Sequence, residues 1–192
     1  MRLGVLFLIV ALATVSRAAE KPIDIEHSTL RVHVGKSGLF SAAGHEHWVT
    51  APIAEGSIDD GQPAHIWFRV AASKLTVEPD KGLSATDQAQ VQRGMQSKVL
   101  ESEQFPEIKF NSTSIQPSED GAWAVRGDLT LHGQTRPASS RVRKQADAYV
   151  GRCQIKQTDF GIHLIKVGGG VVKVQDELEI EFSIVPGQVS GH

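Results

Sequence analysis

Alternating apolar and polar residues indicate β-strands along most of the chain. The clearest alternation lies at 177–185, where apolar side chains occupy every second position and glutamates separate the first of them. The segment 125–132 alternates in the same way, and the His-Gly-Gln-Thr sequence at 132–135 is typical of a tight turn. Because a period of two places successive side chains on opposite faces of a sheet, we predict a hairpin there, with its second strand at 138–144.

One segment has the periodicity of a helix instead of a strand. The stretch 84–103 is rich in helix-forming residues, and we predict a helix that Ser84 or Thr86 caps at its start. Its apolar residues recur at four-residue spacing and form a single stripe, Val91, Met95 and Val99. Further strands are predicted at 23–34, 53–58, 64–77, 107–115, 122–131 and 149–156.

These elements together predict an all-β fold with one inserted helix. About eight strands separated by short turns favour an eight-stranded antiparallel barrel of the up-and-down type. A β-sandwich is the alternative, because alternation does not distinguish one closed sheet from two packed sheets. A barrel of eight strands is wide enough to hold one small apolar ligand.

The N-terminus has the pattern of a secretory signal peptide. A short positive end is followed by an almost unbroken apolar run at 3–15, which is shorter than the roughly 20 residues of a membrane span. Small residues then allow cleavage after Ala18 or Ala19. We therefore expect a signal peptide at 1–18 and a single exported domain at 19–192. This domain would be periplasmic or secreted, without stable membrane insertion.

Composition excludes several classes of function. The net charge is −2, with 22% charged residues and no basic run, which argues against nucleic acid as a partner. Cys153 is the single cysteine, so an intramolecular disulfide and a cysteine-rich metal site are both excluded. We expect it to be a small buried residue. Because no nucleophile elbow or oxyanion glycine sequence surrounds it, we do not expect an enzyme.

Five segments occur in an order that resembles a known family. They are His27-Ser28 in the opening strand and the runs at 105–110, 127–137, 158–161 and 176–180. Together they resemble the YceI-like family of exported polyisoprenoid-binding proteins. The resemblance covers 23–185 and implies a lipocalin-like barrel whose elongated apolar cavity holds the tail of an isoprenoid or another amphiphile. The segment 36–47 departs from the family pattern, which indicates a divergent branch.

Inward apolar side chains would form such a binding site for a lipid or isoprenoid. A buried hydrocarbon chain gains roughly 0.8 kcal/mol per methylene, so uptake needs no specific polar contact. The alternative is that the same side chains fill the barrel and leave no cavity. The predicted ligand-binding residues are Val32, Val34, Ile66, Phe68, Val70, Ile108, Phe110, Leu129, Leu131, Ile180 and Phe182.

A histidine pair supports an alternative function. His45 and His47 share a face in an extended segment, so both imidazoles can approach one divalent metal ion. Two histidines do not complete a zinc site, and the further nitrogen would come from His33, His132 or His163. A periplasmic metal-binding protein is therefore the alternative to a lipid carrier. The pair can equally hydrogen-bond loop backbone at the barrel mouth, and a structural module without any ligand is a third hypothesis.

Other polar residues have structural interpretations. We expect His132 to bond nearby carbonyls in its turn, or to contact a polar head group at the barrel rim. Asp159 and Asp176 are expected to bond backbone atoms in turns, and either can pair with Arg136. The sequence does not decide whether Trp48, Trp67 and Trp123 line a cavity mouth or stack together, and it leaves the oligomeric state open.

Overall fold

The computed structural model of the protein describes residues 20–37, 46–62, 64–167 and 172–188. The predicted signal peptide at 1–18 and the first histidine of the predicted metal pair, His45, lie outside these residues. In the part of the chain that the structure describes, no helix is long and apolar enough to cross a membrane.

Strands make up most of the described chain, and all their pairings are antiparallel. In chain order they are β1 (Lys21–Pro22), β2 (Thr29–Ser37), β3 (His47–Thr50), β4 (Ile53–Asp59), β5 (His65–Ala71), β6 (Thr76–Val77), β7 (Glu107–Pro117), β8 (Trp123–Leu131), β9 (Gln134–Gln145), β10 (Ala148–Lys156), β11 (Lys166–Val167) and β12 (Val172–Ile184). The helix α1 (Ala85–Gly94) continues into a π-helical turn at Met95–Val99, and 3₁₀ turns occupy Ala72–Lys74 and Gln157–Phe160.

The strands curl into one barrel. Hydrogen-bonded neighbours follow the order β1-β4-β5-β7-β8-β9-β10-β12-β2-β3-β6, and β11 pairs with β12. Near the two ends of this path, β3 and β4 are halves of one bent strand, since β3 ends at Thr50 and β4 begins at Ile53. With these halves taken together, eight strand positions of the described chain surround the interior. The predicted antiparallel barrel is therefore confirmed, although its sheet consists of twelve strands in the described chain and not eight, and the single sheet excludes the sandwich.

The bend between β3 and β4 leaves a gap that β1 fills. β1 pairs with β4, and the next residue, Ile23, forms a bridge with Pro186 beyond the end of β12. The backbone N–H of Ile23 donates to Gly56 at 2.9 Å, and that of Asp24 donates to Val185 at 2.8 Å. These bonds join the first and last parts of the domain and complete the ring at this end.

Turns divide two of the predicted strands. The predicted strand 23–34 is interrupted after Ile23, because the Asp24 carboxylate accepts the backbone N–H groups of Glu26 and His27 at 3.1 Å and forms a turn. The predicted strand 64–77 is interrupted by the 3₁₀ turn at Ala72–Lys74. The short strand β3 was missed, since the proline at its bend suppressed the prediction of pairing. The last strand was predicted too short, because β12 begins at Val172.

The predicted helix is confirmed, with an earlier end. Ser84 is the N-cap, because its hydroxyl accepts the backbone N–H of Asp87 at 3.1 Å. The regular α-helix stops at Gly94, and the backbone then widens into the π-helical turn. The helix lies in the connection between β6 and β7, at the end of the barrel where β5 and β8 finish, and so covers that end.

The hairpin predicted at 132–135 is confirmed with a shorter loop. Leu131 pairs with Gln134, so the loop consists only of His132 and Gly133. Both have positive φ, 50° and 71°. Two such residues give the turn whose twist matches that of antiparallel strands.

Candidate functional site

The barrel contains an apolar cavity of ≈ 1040 Å³. This volume lies at the upper end of the roughly 300–1,000 Å³ that small-molecule sites occupy. Its wall consists of the inward residues of the strands together with residues of the helix that covers one end. The alternative of a barrel filled by its own side chains is therefore wrong.

All eleven predicted ligand-binding residues lie on the cavity wall. Val70, Leu129 and Leu131 are at most 8% exposed and belong to the core. The other eight are partly buried and pack against that core, so we attribute their remaining exposure to the cavity: Val32, Val34, Ile66, Phe68, Ile108, Phe110, Ile180 and Phe182. Their contact with a ligand remains a prediction.

The alternation of strands could have identified more of the wall. Leu30, Val125, Ile155 and Leu178 continue the inward rows of β2, β8, β10 and β12, and all four line the cavity. Ile162 lines it from an irregular segment after the 3₁₀ turn at 157–160, where no periodicity marks it. The sequence pattern thus identifies wall residues that lie on strands, whereas wall residues that lie in loops are recognised only from the structure.

The helix α1 is attached to the barrel by three glutamines spaced four residues apart. Gln92 accepts the backbone N–H of Val77 at 2.8 Å and donates to the carbonyl of Leu75 at 2.9 Å. Gln88 donates to the carbonyl of Val77 at 3.2 Å, and Gln96 donates to that of Leu75 at 3.0 Å. The spacing of the three glutamines is visible in the sequence, but the ladder was not predicted from it.

The apolar side chains on the cavity side of the helix attach it to the barrel less firmly than the glutamines do. Val91, Met95 and Val99 form the predicted apolar stripe and line the cavity, yet none of them is fully buried. Because these side chains border the cavity, they make fewer van der Waals contacts than they would make in a filled core. The glutamine ladder therefore supplements this packing in attaching the helix to the barrel.

The segment that follows the helix is fixed by His132. Its Nε2 lies 2.7 Å from the carboxylate of Glu101, and its Nδ1 lies 3.3 Å from the carbonyl oxygen of Phe160. The ring also packs against Phe105 at a centroid distance of 4.2 Å. With its side chain only 11% exposed, His132 has the structural role that was predicted first, and these contacts connect three segments at the helix end of the barrel.

Charged residues on the cavity wall lie near its ends. Asp87, Arg93 and Lys98 line it on the helix, and Asp59 and Asp60 line it near the turn between β4 and β5. Between these ends the lining is almost entirely aliphatic and aromatic. An amphiphile would thus keep its hydrocarbon chain in the middle and its polar group at an end.

Cys153 lies on the cavity wall and packs against the core, but it is only partly buried, whereas a small buried residue was predicted. Burial raises the pKa of its thiol. A raised pKa lowers the fraction of thiolate and with it the nucleophilicity of the group. The environment of Cys153 is therefore that of a wall residue.

The described residues do not assemble the predicted metal site. His47 lines the cavity from β3, but its partner His45 lies outside the described residues. His33 pairs across the sheet with Trp48, on the opposite face from His47, and lies 3.4 Å from Glu46. Among the described residues, no group of three or more histidine, cysteine, aspartate or glutamate side chains could hold a metal ion.

Two of the three tryptophans face away from the cavity. Trp48 on the outer face of β3 packs between His33, with ring centroids 4.8 Å apart, and the Arg31 guanidinium at 4.3 Å. Trp67 donates to Glu20 at 3.3 Å. Only Trp123 lines the cavity, where it meets Tyr149 edge-on at 5.9 Å.

Asp176 makes the turn contacts that were expected of both aspartates. It accepts the backbone N–H of Thr158 at 2.9 Å and the hydroxyl of the same residue at 2.7 Å. The backbone hydrogen bond is the main cause that lowers the pKa of Asp176. The expected pairing of either aspartate with Arg136 is wrong, since Arg136 donates to Thr135 and Gln134 instead.

Comparisons with known proteins agree with this architecture. The family model described as the YceI-like domain matches residues 22–185. A UPF0312 protein of Vibrio cholerae is 26% identical over 133 residues, which are 64% of this chain and 69% of that protein. A UPF0312 protein of Pseudomonas savastanoi is 30% identical over 122 residues, 58% of this chain and 62% of that protein.

Two solved structures share the fold. BcnA of Burkholderia cenocepacia superposes with a TM-score of 0.58 at 17% identity, over 85% of this chain and 98% of that one. A polyisoprenoid binding domain from Saccharophagus degradans superposes with a TM-score of 0.55 at 13% identity, over 88% of this chain and 97% of that one. At these identities the likeness establishes the fold alone.

Proposed function

The chain belongs to the YceI-like family, and from this premise we propose that it is an exported lipid-binding protein. It sequesters the hydrocarbon chain of an isoprenoid or another amphiphile in the barrel, for transport or storage and without a chemical step. The observation that carries this proposal is the apolar cavity of ≈ 1040 Å³. Further support comes from the family and from the similar fold of the polyisoprenoid binding domain of Saccharophagus degradans.

The affinity would come mainly from burial of hydrocarbon. Each methylene that leaves water contributes about 0.8 kcal/mol, and the preformed barrel spends little free energy on ordering itself. The middle of the cavity offers few hydrogen-bond partners, so length and thickness of the chain would determine selectivity. The polar group would remain at an end, where the charged residues of the wall lie.

A cavity-filling substitution tests this proposal. The inward Cys153 and the outward Gln154 are adjacent on β10, and the first is partly buried on the wall whereas the second is exposed. Cys153→Phe places a ring in the cavity, and Gln154→Phe adds the same ring outside. Binding of a fluorescent fatty-acid analogue is titrated to the wild type and to both variants.

We expect the Cys153→Phe variant to bind at least about tenfold more weakly, since a misfit of this size in an apolar pocket costs 10-fold or more. The Gln154→Phe variant should bind as the wild type does. Equal binding by all three proteins would show that the analogue binds outside the barrel, and no binding by the wild type would count against the proposed function.

The described residues favour the carrier over the metal-binding alternative. Two of the candidate further ligands of a metal, His33 and His132, have other partners on other surfaces. The histidine pair nevertheless makes a separate prediction, and its test is given below.

A further inference from the structure

Two phenylalanine rings on the cavity wall lie against glycines of the neighbouring strand. Phe182 on β12 is paired directly with Gly151 on β10. Phe110 on β7 reaches diagonally across to Gly127 on β8, whose paired residue on β7 is Ser112. Both rings line the cavity, whereas the two glycines lie behind the rings and do not.

Each ring tip occupies the space that a side chain would take at the glycine. A Cβ atom at Gly151 would lie 2.6 Å from Cζ of Phe182, and one at Gly127 would lie 2.6 Å from Cζ of Phe110. Carbon atoms in contact are about 3.5–4.0 Å apart. The missing side chains therefore form two niches into which the rings fit.

The niches keep the rings flat against the wall. If a side chain filled a niche, the ring could no longer lie against the neighbouring strand and would turn into the lumen. The strand between the two glycine strands adds to the width, because three of the four residues that β9 contributes to the wall, Ala138, Ser139 and Ser140, are small, and only Val142 is larger. The side of the barrel formed by β8, β9 and β10 is thus the side along which the lumen is widened.

We propose that Gly127 and Gly151 are specificity determinants, and that the width they provide favours a methyl-branched hydrocarbon chain over an unbranched one. A branched chain makes contacts across a wide lumen, while a thin chain leaves gaps in which those contacts are lost. This inference rests on the proposed lipid-binding function and adds to it the structural basis for choosing between chains.

The test compares two alcohols with the same main-chain length. Geranylgeraniol has methyl branches and hexadecanol has none, and each displaces a fluorescent fatty-acid analogue from the protein. The variants are Gly151→Ala, Gly151→Ala/Phe182→Leu and, as a control, Gln154→Ala, which changes an exposed, outward residue of the same strand that does not line the cavity. The double variant is needed because the new Cβ also lies 2.8 Å from the carbonyl oxygen of Arg141.

We expect the wild type and Gln154→Ala to prefer geranylgeraniol. Gly151→Ala should lose about tenfold or more of its affinity for geranylgeraniol and little for hexadecanol, a loss typical of a methyl-sized misfit. Replacing the ring in the double variant should restore binding of geranylgeraniol although the contact with the carbonyl remains. If Gly151→Ala does not fold, the single variant Phe182→Leu carries the test, and its preference for the branched alcohol should increase.

The inference is overturned if both alcohols lose affinity equally in Gly151→Ala, or if the double variant does not recover. It is also overturned if Phe182→Leu leaves the preference unchanged. These results differ from a failure of the proposed function, in which the wild type would bind neither alcohol.

Discussion

Removal of the central glutamine of the ladder should release the helix α1 from the barrel. Gln92 makes two hydrogen bonds to the backbone of a buried segment, since Leu75 is 6% and Val77 is 5% exposed. In Gln92→Ala the N–H of Val77 loses its acceptor, whereas the carbonyl of Leu75 keeps Gln96 as a donor. Each bond contributes about 1 kcal/mol net, so the docking of the helix should weaken by about 2 kcal/mol.

The helix should then unfold locally while the barrel stays intact. A helix of this length is marginal in water once it leaves its support, and none of its residues is fully buried. A loss of about 2 kcal/mol raises the open population about 30-fold, because 1.4 kcal/mol is a factor of ten. Cleavage of a transiently opened segment follows this population when reclosing is fast.

Limited trypsin digestion measures the opening. Arg93 and Lys98 are exposed cleavage sites in the helix and in the turn that follows it. Gln92→Ala should be cut there about 30-fold faster than the wild type, with circular dichroism of the barrel strands unchanged. The control is Gln90→Ala on the same helix, an exposed residue with no hydrogen bond to the barrel among the described residues. Equal cleavage rates in the two variants would refute the ladder as the attachment of the helix.

Three further predictions concern the wall, one turn and the histidine pair. Because burial raises the pKa of Cys153, its alkylation by monobromobimane should reach half its maximal rate at higher pH than alkylation of the exposed thiol in a Cys153→Ser/Gln154→Cys variant. Bound lipid should slow the alkylation of Cys153 but not that of the exposed thiol. Identical pH profiles would contradict the position of Cys153 on the wall. Asp176→Ala should lower the free energy of unfolding by about 1 kcal/mol at neutral pH, whereas Asp159→Ala should not. Because the folded-state pKa of Asp176 is lowered, this stabilisation is present above the ordinary aspartate pKa of about 3.9 and is lost as the pH falls through the folded-state pKa. Urea titrations in which the wild type and Asp176→Ala differ by the same free energy of unfolding down to acid pH would contradict this prediction. Metal analysis of untagged protein should give equal metal content in the wild type and in His45→Ala/His47→Ala, and a stoichiometric metal lost only from the variant would establish the alternative function.

The inward rows of the barrel were predictable because one physical signal specifies them. In a strand with one buried face, the apolar period of two is set by the pleat, and so Ile180 and Phe182 could be placed on the wall from the sequence alone. The alternation did not show that the wall encloses a space. Side chains that fill a barrel and side chains that line a cavity have the same pattern, and the distinction depends on how far apart opposite strands lie.

The remaining features depend on contacts between distant segments. Gly151 looks like a weak point in a strand until the ring of Phe182 is found against it. The side chain of His132 meets Glu101 and Phe160, which are 31 and 28 residues away. The glutamine ladder is an exception, since its four-residue spacing was visible and only its partners were not. In this chain the row of glutamines marks the helix face that contacts the backbone of Leu75 and Val77.

Native mass spectrometry of the wild-type protein, purified from the cells that produce it, tests the central claim most directly. The bound molecule is then extracted into organic solvent and identified. We expect one long-chain isoprenoid or other amphiphile per chain, which matches the apolar cavity of ≈ 1040 Å³ in the barrel. A mass equal to the polypeptide alone, with no extractable lipid and no uptake of added lipid, would contradict the carrier function.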